Sequence, residues 1–229
     1  MALSGEEWMA IALSLKIALV ATACSLPFAV AVAWLLARRD FPGKTIFDAI
    51  IHLPLVLPPV VTGFALLVAF GRHGFIGAPL ERLFGISFAF RWTGAALAAA
   101  VMGFPLMVRP IRQAFEAVDP RLERAAGSLG APPLWRFAVV TLPLAAPGVA
   151  VGVILGFAKA LGEFGATITF VSNIPGETRT IASEIWTQLQ SPGGEAAALR
   201  LSLIAAGIAV CALAASEMLA RRAARRSAQ

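Results

Sequence analysis

The sequence predicts an all-α integral membrane protein, a polytopic helical bundle forming one domain over residues 1–229. Three observations predict it. Hydrophobic residues make up 59% and charged residues 14%, with a mean hydropathy of +0.80; water-soluble domains do not combine such values. Long stretches without a single charged residue recur along the chain, which gives about five transmembrane helices, because a charge at mid-bilayer costs about 2.5–3.5 kcal/mol on insertion scales. The Lys and Arg residues between these stretches gather on one side.

The elements follow in order. The start, MALSGEEW, carries Glu6 and Glu7 where a cleavable signal would be basic. Residues 17–36 hold no charge, enough to cross about 30 Å as a helix, so a retained span is expected over about 9–37. The second, 49–70, is uncharged but broken by Pro54, Pro58 and Pro59. Such breaks are tolerated beside protein or a cavity. It reads as pore-adjacent, or as an entry segment before a helix that begins at Val60. The third, 92–115, is uncharged up to Arg109-Pro110. The fourth, 137–162, has Pro143 and Pro147 near its start, and the fifth is 199–220. Between the last two, FGATITFVSNIPG is uncharged but only 13 residues long, which suits a re-entrant turn or an outer loop; six spans result if it dips through. Residues 181–190 place Ile181, Ile185, Trp186 and Leu189 on one helical face, and SPGG ends that helix.

Orientation follows from the loops. With the N-terminus outside, the inner segments hold Arg38, Arg39, Lys44, Arg109, Arg112, Arg121, Arg124, Arg136, Arg221, Arg222, Arg225 and Arg226. The outer ones hold Arg72, Arg82, Arg91, Arg179 and Arg200. The expected topology is a multi-pass cytoplasmic-membrane protein with a cytoplasmic C-terminus and residues 119–136 as a cytoplasmic loop.

That loop is not a plain connector. Leu122, Ala125, Ala126 and Leu129 recur at helical spacing. Ala125, Ala126, Gly127 and Gly130 let another surface approach the backbone. Pro132 and Pro133 stop the helix, and a second amphipathic turn follows through Trp135 and Phe137. A short helix of this kind at the membrane surface suits docking into a groove of a soluble partner.

The segment resembles the coupling motif of ABC importer membrane subunits. There an acidic residue and two Ala precede a Gly, nine residues, an apolar residue, one more residue and Leu-Pro. Glu123, Ala125, Ala126, Gly130, Val140, Leu142 and Pro143 occupy those places, with the acidic residue one position early, as is familiar in the oxyanion branch. Further stretches resemble the molybdate-type permeases. LGEFGATITFVSNIPGETRT at 161–180 contains Gly162, Glu163, Phe164, Gly165, Ala166, Thr167, Asn173, Ile174, Pro175, Gly176, Thr178 and Thr180. LPLVLPP at 53–59 and MVRPIRQAFEAVDPRLERAAGSLGA at 107–131 belong with it. The resemblance implies a type I ABC importer permease fold. It also implies a second copy of the chain, a cytoplasmic ABC ATPase dimer that binds the ATP and Mg, and an external molybdate-binding protein. Sulfate permeases share GEFG, so sulfate, thiosulfate or tungstate stand as alternative cargoes. An ion-gradient-driven secondary transporter is the reading from another class, but no inverted repeat supports it.

The residues themselves add two readings. Gly162 and Gly165 can flank a bend or a close helix contact. Lys159 and Glu163, four apart, share a helical face; Lys159 either favours an anion in the path or snorkels outward to pair with Glu163.

Other chemistry is not encoded. PGKT at 42–45 ends like a phosphate-binding loop, yet Arg38 stands at the first Gly position and no strand precedes it. No catalytic set is recognisable, so no enzyme activity of its own is expected and no cofactor in this chain. Cys24 and Cys211 lie in apolar runs and read as inert buried thiols. His52 and His73 have no second ligand at helical spacing. The net charge of +6 flanks apolar runs instead of forming a stripe with aromatics, which argues against nucleic acid.

Overall fold

The computed structural model describes residues 3–227, with the side chains of residue 216 and residues 219–227 outside it. Arg221, Arg222, Arg225 and Arg226 of the charge pattern therefore lie outside the described side chains. Among the described residues every regular element is helical. Helix α1 runs Gly5–Arg38, α2 Lys44–Val56, α3 Pro59–Phe70, α4 Gly77–Phe84, α5 Trp92–Ala117, α6 Pro120–Ser128 and α7 Pro133–Arg136. A π turn, Phe137–Thr141, leads into α8, Leu142–Leu161; then come α9 Gly165–Val171, α10 Ile181–Leu189 and α11 Glu195–Ser227.

Among the described residues four stretches are long and apolar enough to cross a membrane: Gly5–Arg38, Trp92–Ala117, Pro133–Leu161 and Glu195–Ala215. A fifth arises only if α2 and α3, bent by 113° at their break, count as one. The bend has a local cause. Leu57 N–H caps α2 on Leu53 O, and Pro58 and Pro59 have no N–H with which to continue the ladder. Residues 49–70 are thus two helices, the second starting at Pro59 and not at Val60.

Helix α5 is the hub and packs against α1, α8 and α9. Its Val108 and Phe115 are buried in one cluster with Ala29, Ala33 and Leu36 of α1. Toward α8 it meets a seam of small residues on that helix, Gly148, Gly152 and Gly156, four apart. A Cβ on Gly148 would stand 2.3 Å from Ala114 Cβ and 2.9 Å from Pro110 O, and one on Gly152 2.9 Å from Met107 O. In a bilayer, where lipid is as apolar as Leu, such close backbone approach drives helix association. On Gly156 the added atom would meet only the flexible Met107 side chain. We therefore expect Gly148→Ala to lower the melting temperature in detergent clearly, at an overpacking cost of about 1–3 kcal/mol, and Gly156→Ala to cost much less. Equal shifts for the two would contradict this packing.

Several expectations change here. Arg109 and Arg112, counted above with the inner segments, are helical residues, since α5 runs to Ala117 with Pro105 and Pro110 inside it. Cys24 and Cys211 are free and exposed on the chain, because both lie on sides of α1 and α11 that find no partner within it. On α10 the buried residues are Ile181, Ser183 and Glu184; Trp186 and Leu189 are exposed, so the apolar face drawn for it is split.

Candidate functional site

At one end of the bundle, α6, α7 and the π turn form an elbow. Asp119 caps α6 by accepting from Arg121 N–H at 2.8 Å. At the other end Gly130 N–H donates to Gly127 O at 3.0 Å and Ala131 N–H to Ala126 O at 3.1 Å, with Gly130 at φ +85°. That is a Schellman stop, which needs a left-handed residue. Gly130 is therefore conformationally required, and open space surrounds the position a Cβ would take. Gly127 serves the close approach: its Cβ would lie 2.8 Å from Arg136 Nη1, so α6 and α7 are pressed together there.

No residue of α6 or α7 is buried. Leu122, Leu129, Leu134, Trp135 and Val139 are exposed, and a groove of about 500 Å³ is lined by Ala126, Leu129, Gly130, Trp135 and Val140 among others. Ala125 is exposed and Ala126 half-buried. Contiguous apolar side chains on an element that leaves the bundle mark an interaction surface.

Glu123 faces the other way. Its Oε1 lies 3.0 Å from Arg38 Nη2 and accepts from Thr141 Oγ1 at 2.9 Å. Arg38 Nη2 also donates to Val118 O at 2.9 Å. The elbow is thereby tied to the end of α1 and to the foot of α8. Sequence reasoning missed Arg38 and Thr141 as partners; they lie 85 and 18 positions from Glu123, and no local pattern links them. Leu142 and Pro143 open α8. Pro143 cannot donate to a preceding carbonyl, and the turn before it widens: Leu142 N–H reaches Phe137 O, five residues back.

Toward the opposite end the two signature stretches meet. Helix α9, seven residues long, packs on α3 and α5, with Ala166, Thr167, Phe170 and Val171 buried. It is neither a span nor an exposed loop. The contact depends on glycines: a Cβ on Gly165 would stand 2.7 Å from Pro59 Cβ, and one on Gly63 2.5 Å from Ala166 O. Gly63 was not singled out in the sequence, although its small size four residues after Pro59 was the available signal. Gly162 ends α8, and Phe164 packs near Trp186, ring centroids 6.1 Å apart.

Glu163, 2% exposed, accepts from Lys159 Nζ at 2.6 Å and from Ala166 N–H at 3.0 Å. Lys159 is thus held in an i,i+4 pair. The 172–180 loop is cross-braced. Asn173 donates to Thr187 Oγ1 at 2.8 Å and accepts from Arg179 Nε at 3.2 Å. Arg179 also meets buried Glu184 at 3.2 Å. Pro175 and Gly176, the latter at φ +75°, make the turn. Ser172 sits at φ +65°, a strained conformation for a non-glycine residue. Thr178 bridges this turn, donating to Ser172 O at 3.1 Å while accepting from Ile174 N–H at 2.8 Å. Glu177 accepts from Trp92 N–H at 3.3 Å, and Lys16 Nζ lies 3.6 Å over the Trp92 ring.

A multi-pass helical chain with an exposed apolar elbow at one end and a buried half-helix toward the other defines a class: a membrane permease that docks a separate protein. The chain belongs to the binding-protein-dependent transport system inner membrane component family, whose model matches residues 25–225. It is 60% identical over 222 residues, 96% of both chains, to the molybdenum transport system permease protein ModB of Escherichia coli K12. It is 38% identical over 193 residues, 84% of this chain and 69% of the relative, to the sulfate transport system permease protein CysT of Salmonella typhimurium. Its fold is that of a bacterial ABC transporter for alginate, with TM-score 0.69, 17% identity and coverage of 97% of this chain and 80% of that one. The protein is a multi-pass inner-membrane permease of the ABC importer type.

Proposed function

We propose that the chain is the membrane-spanning subunit of an ATP-driven molybdate importer. It works as two copies, with a cytoplasmic ATPase dimer on the elbow and an external molybdate-binding protein at the opposite end. The observation that carries the cargo is the 60% identity to a molybdenum permease along nearly the whole of both chains. The exposed apolar elbow supports the ATPase contact, and the Lys and Arg distribution supports an external N-terminus. ATP is hydrolysed by the partner. Glu123, bound to Arg38 and Thr141, carries movement of the elbow into α1 and α8. The packing of α3 on α9 serves as the outer closure. Tetrahedral oxyanions are told apart by hydrogen bonds in a closed pocket, which a path open to either side cannot keep, so selectivity resides in the binding protein.

Proteoliposomes holding the complete complex test this with radiolabelled molybdate, tungstate and sulfate. The expected result is molybdate uptake that needs both ATP and the binding protein, with specificity following the binding protein when it is exchanged for one that docks equally well. Uptake of sulfate alone with the native binding protein overturns the cargo. Uptake driven by an ion gradient without the ATPase overturns the mechanism.

A further inference from the structure

The sides of α5 are assigned by its packing, and one is left over. Val108 and Phe115 are buried in one cluster with Ala29, Ala33 and Leu36 of α1; Gly103, Met107, Pro110, Ile111 and Ala114 face the glycines of α8. The remaining stripe, at successive spacings of three and four residues, is Ala98, Met102, Pro105, Arg109, Gln113 and Glu116, the last held by Arg112. Its first part is covered: Ala98 and Met102 are buried in one cluster with Ala166, Phe170 and Val171 of α9, and Pro105 is buried too. Its second part is open, for Arg109 and Gln113 are exposed. The stripe therefore passes from beneath the half-helix into an uncovered region, and the first side chain it presents there is a guanidinium.

Among the described side chains, Arg109 differs from the other basic residues on the long helices. Lys159 is neutralised by Glu163, Arg112 by Glu116 and Asp48, and Lys16 lies on Trp92. Among the described residues Arg109 has no ion pair and no hydrogen bond. It stands eight residues before the end of α5, about 12 Å along the axis. The last turns of α5 also carry Arg112, Gln113 and Glu116, so the exposed Arg109 guanidinium sits on a polar stretch of the helix that water can reach.

We infer that Arg109 receives the tetrahedral oxyanion as it leaves the contact of α9 with α5, and passes it toward the elbow end. This rests on the importer reading above. A planar, permanently charged fork suits an oxyanion, and a single free cation, its neighbour Arg112 being already paired with Glu116 and Asp48, binds weakly enough to let go, as a conduction path requires. The same chemistry would also hold a phosphodiester headgroup at the membrane edge, so the test separates the two.

The complete complex is reconstituted in vesicles of neutral lipid and, separately, of mixed neutral and anionic lipid, and radiolabelled molybdate uptake is measured with ATP hydrolysis. Loss of one charge-assisted contact predicts that Arg109→Gln lowers uptake per ATP about tenfold in both vesicle types. Arg109→Lys should keep most of it, and binding-protein-stimulated hydrolysis should persist. In a Cys24→Ser, Cys211→Ser background, Arg109→Cys should regain uptake on modification with a cationic thiol reagent and not with a neutral one, a response a packing role would not give. Unchanged uptake by Arg109→Gln overturns the inference, and so does a deficit confined to anionic vesicles, which would make Arg109 a lipid anchor. If the unaltered complex carries no oxyanion, it is the importer reading that falls.

Discussion

Gly63→Ala is expected to abolish transport in a protein that still inserts and still binds its ATPase. The added methyl would stand 2.5 Å from Ala166 O, 2.8 Å from Ala166 Cα and 2.9 Å from Thr169 Cβ. Two of those atoms are backbone, so no rotamer change relieves the clash, and α9 must move off α3. The disturbance is confined to that contact, because the α5–α8 seam lies elsewhere on α5. The expected cost is about 1–3 kcal/mol locally, seen as a leak of molybdate in the absence of ATP or as loss of coupled uptake. The combined measurement is uptake and passive efflux in vesicles beside a pull-down of the ATPase. Tight, ATP-dependent transport by Gly63→Ala would show that the close packing of α3 on α9 is not the closure.

Trp135→Ala should separate the permease from its ATPase. Trp135 is 61% exposed and Leu129 89% exposed, and both line the elbow groove. Large exposed aromatics at the centre of a docking surface contribute most of its binding energy, about 2 kcal/mol or more on truncation. That corresponds to roughly thirtyfold weaker association. Folding should be untouched, since no residue of α7 is buried. Titration of purified permease with ATPase reads the change directly, and equal affinity would remove the elbow as the contact. Gly130 is a poorer probe: any side chain there adds strain at φ +85° as well as bulk, so a loss of docking after Gly130→Trp mixes two causes.

Much of the fold was legible because the bilayer writes it in one letter. Stretches without charge located α1, α5, α8 and α11, and the elbow was located by its spacing from Glu123 to Pro143. What stayed hidden was set by contacts between distant residues. The charge count put Arg109 and Arg112 with the segments between spans, whereas both lie on α5, where a proline such as Pro110 is tolerated when neighbours compensate. The place of residues 165–171 was undecided since a seven-residue helix is stable at depth only when something fits against it, and that something is Pro59 and Gly63. The exposure of Cys24 and Cys211 reflects which sides of α1 and α11 find partners, which composition cannot express. The Gly148, Gly152 and Gly156 seam was present in the sequence at four-residue spacing and went unread. In the candidate site, Glu123 was placed in the elbow but its tie to Arg38 could not be. The pairing of Lys159 with Glu163 was one of two readings offered by their spacing.

The break between α2 and α3 carries a consequence of its own. An airlock works only if its two doors are not bolted to the same bar. A straight helix spanning the whole membrane would be such a bar, since its continuous hydrogen-bond ladder passes displacement from one face to the other. Here the ladder stops at Leu57, two prolines donate nothing, and the chain turns by 113°. Helix α2, joined to α5 through Asp48 and Arg112 at 3.2 Å, can follow the elbow half while α3 stays seated on α9. Opposite doors can then be opened in turn, with no covalent geometry obliging one to swing when the other does.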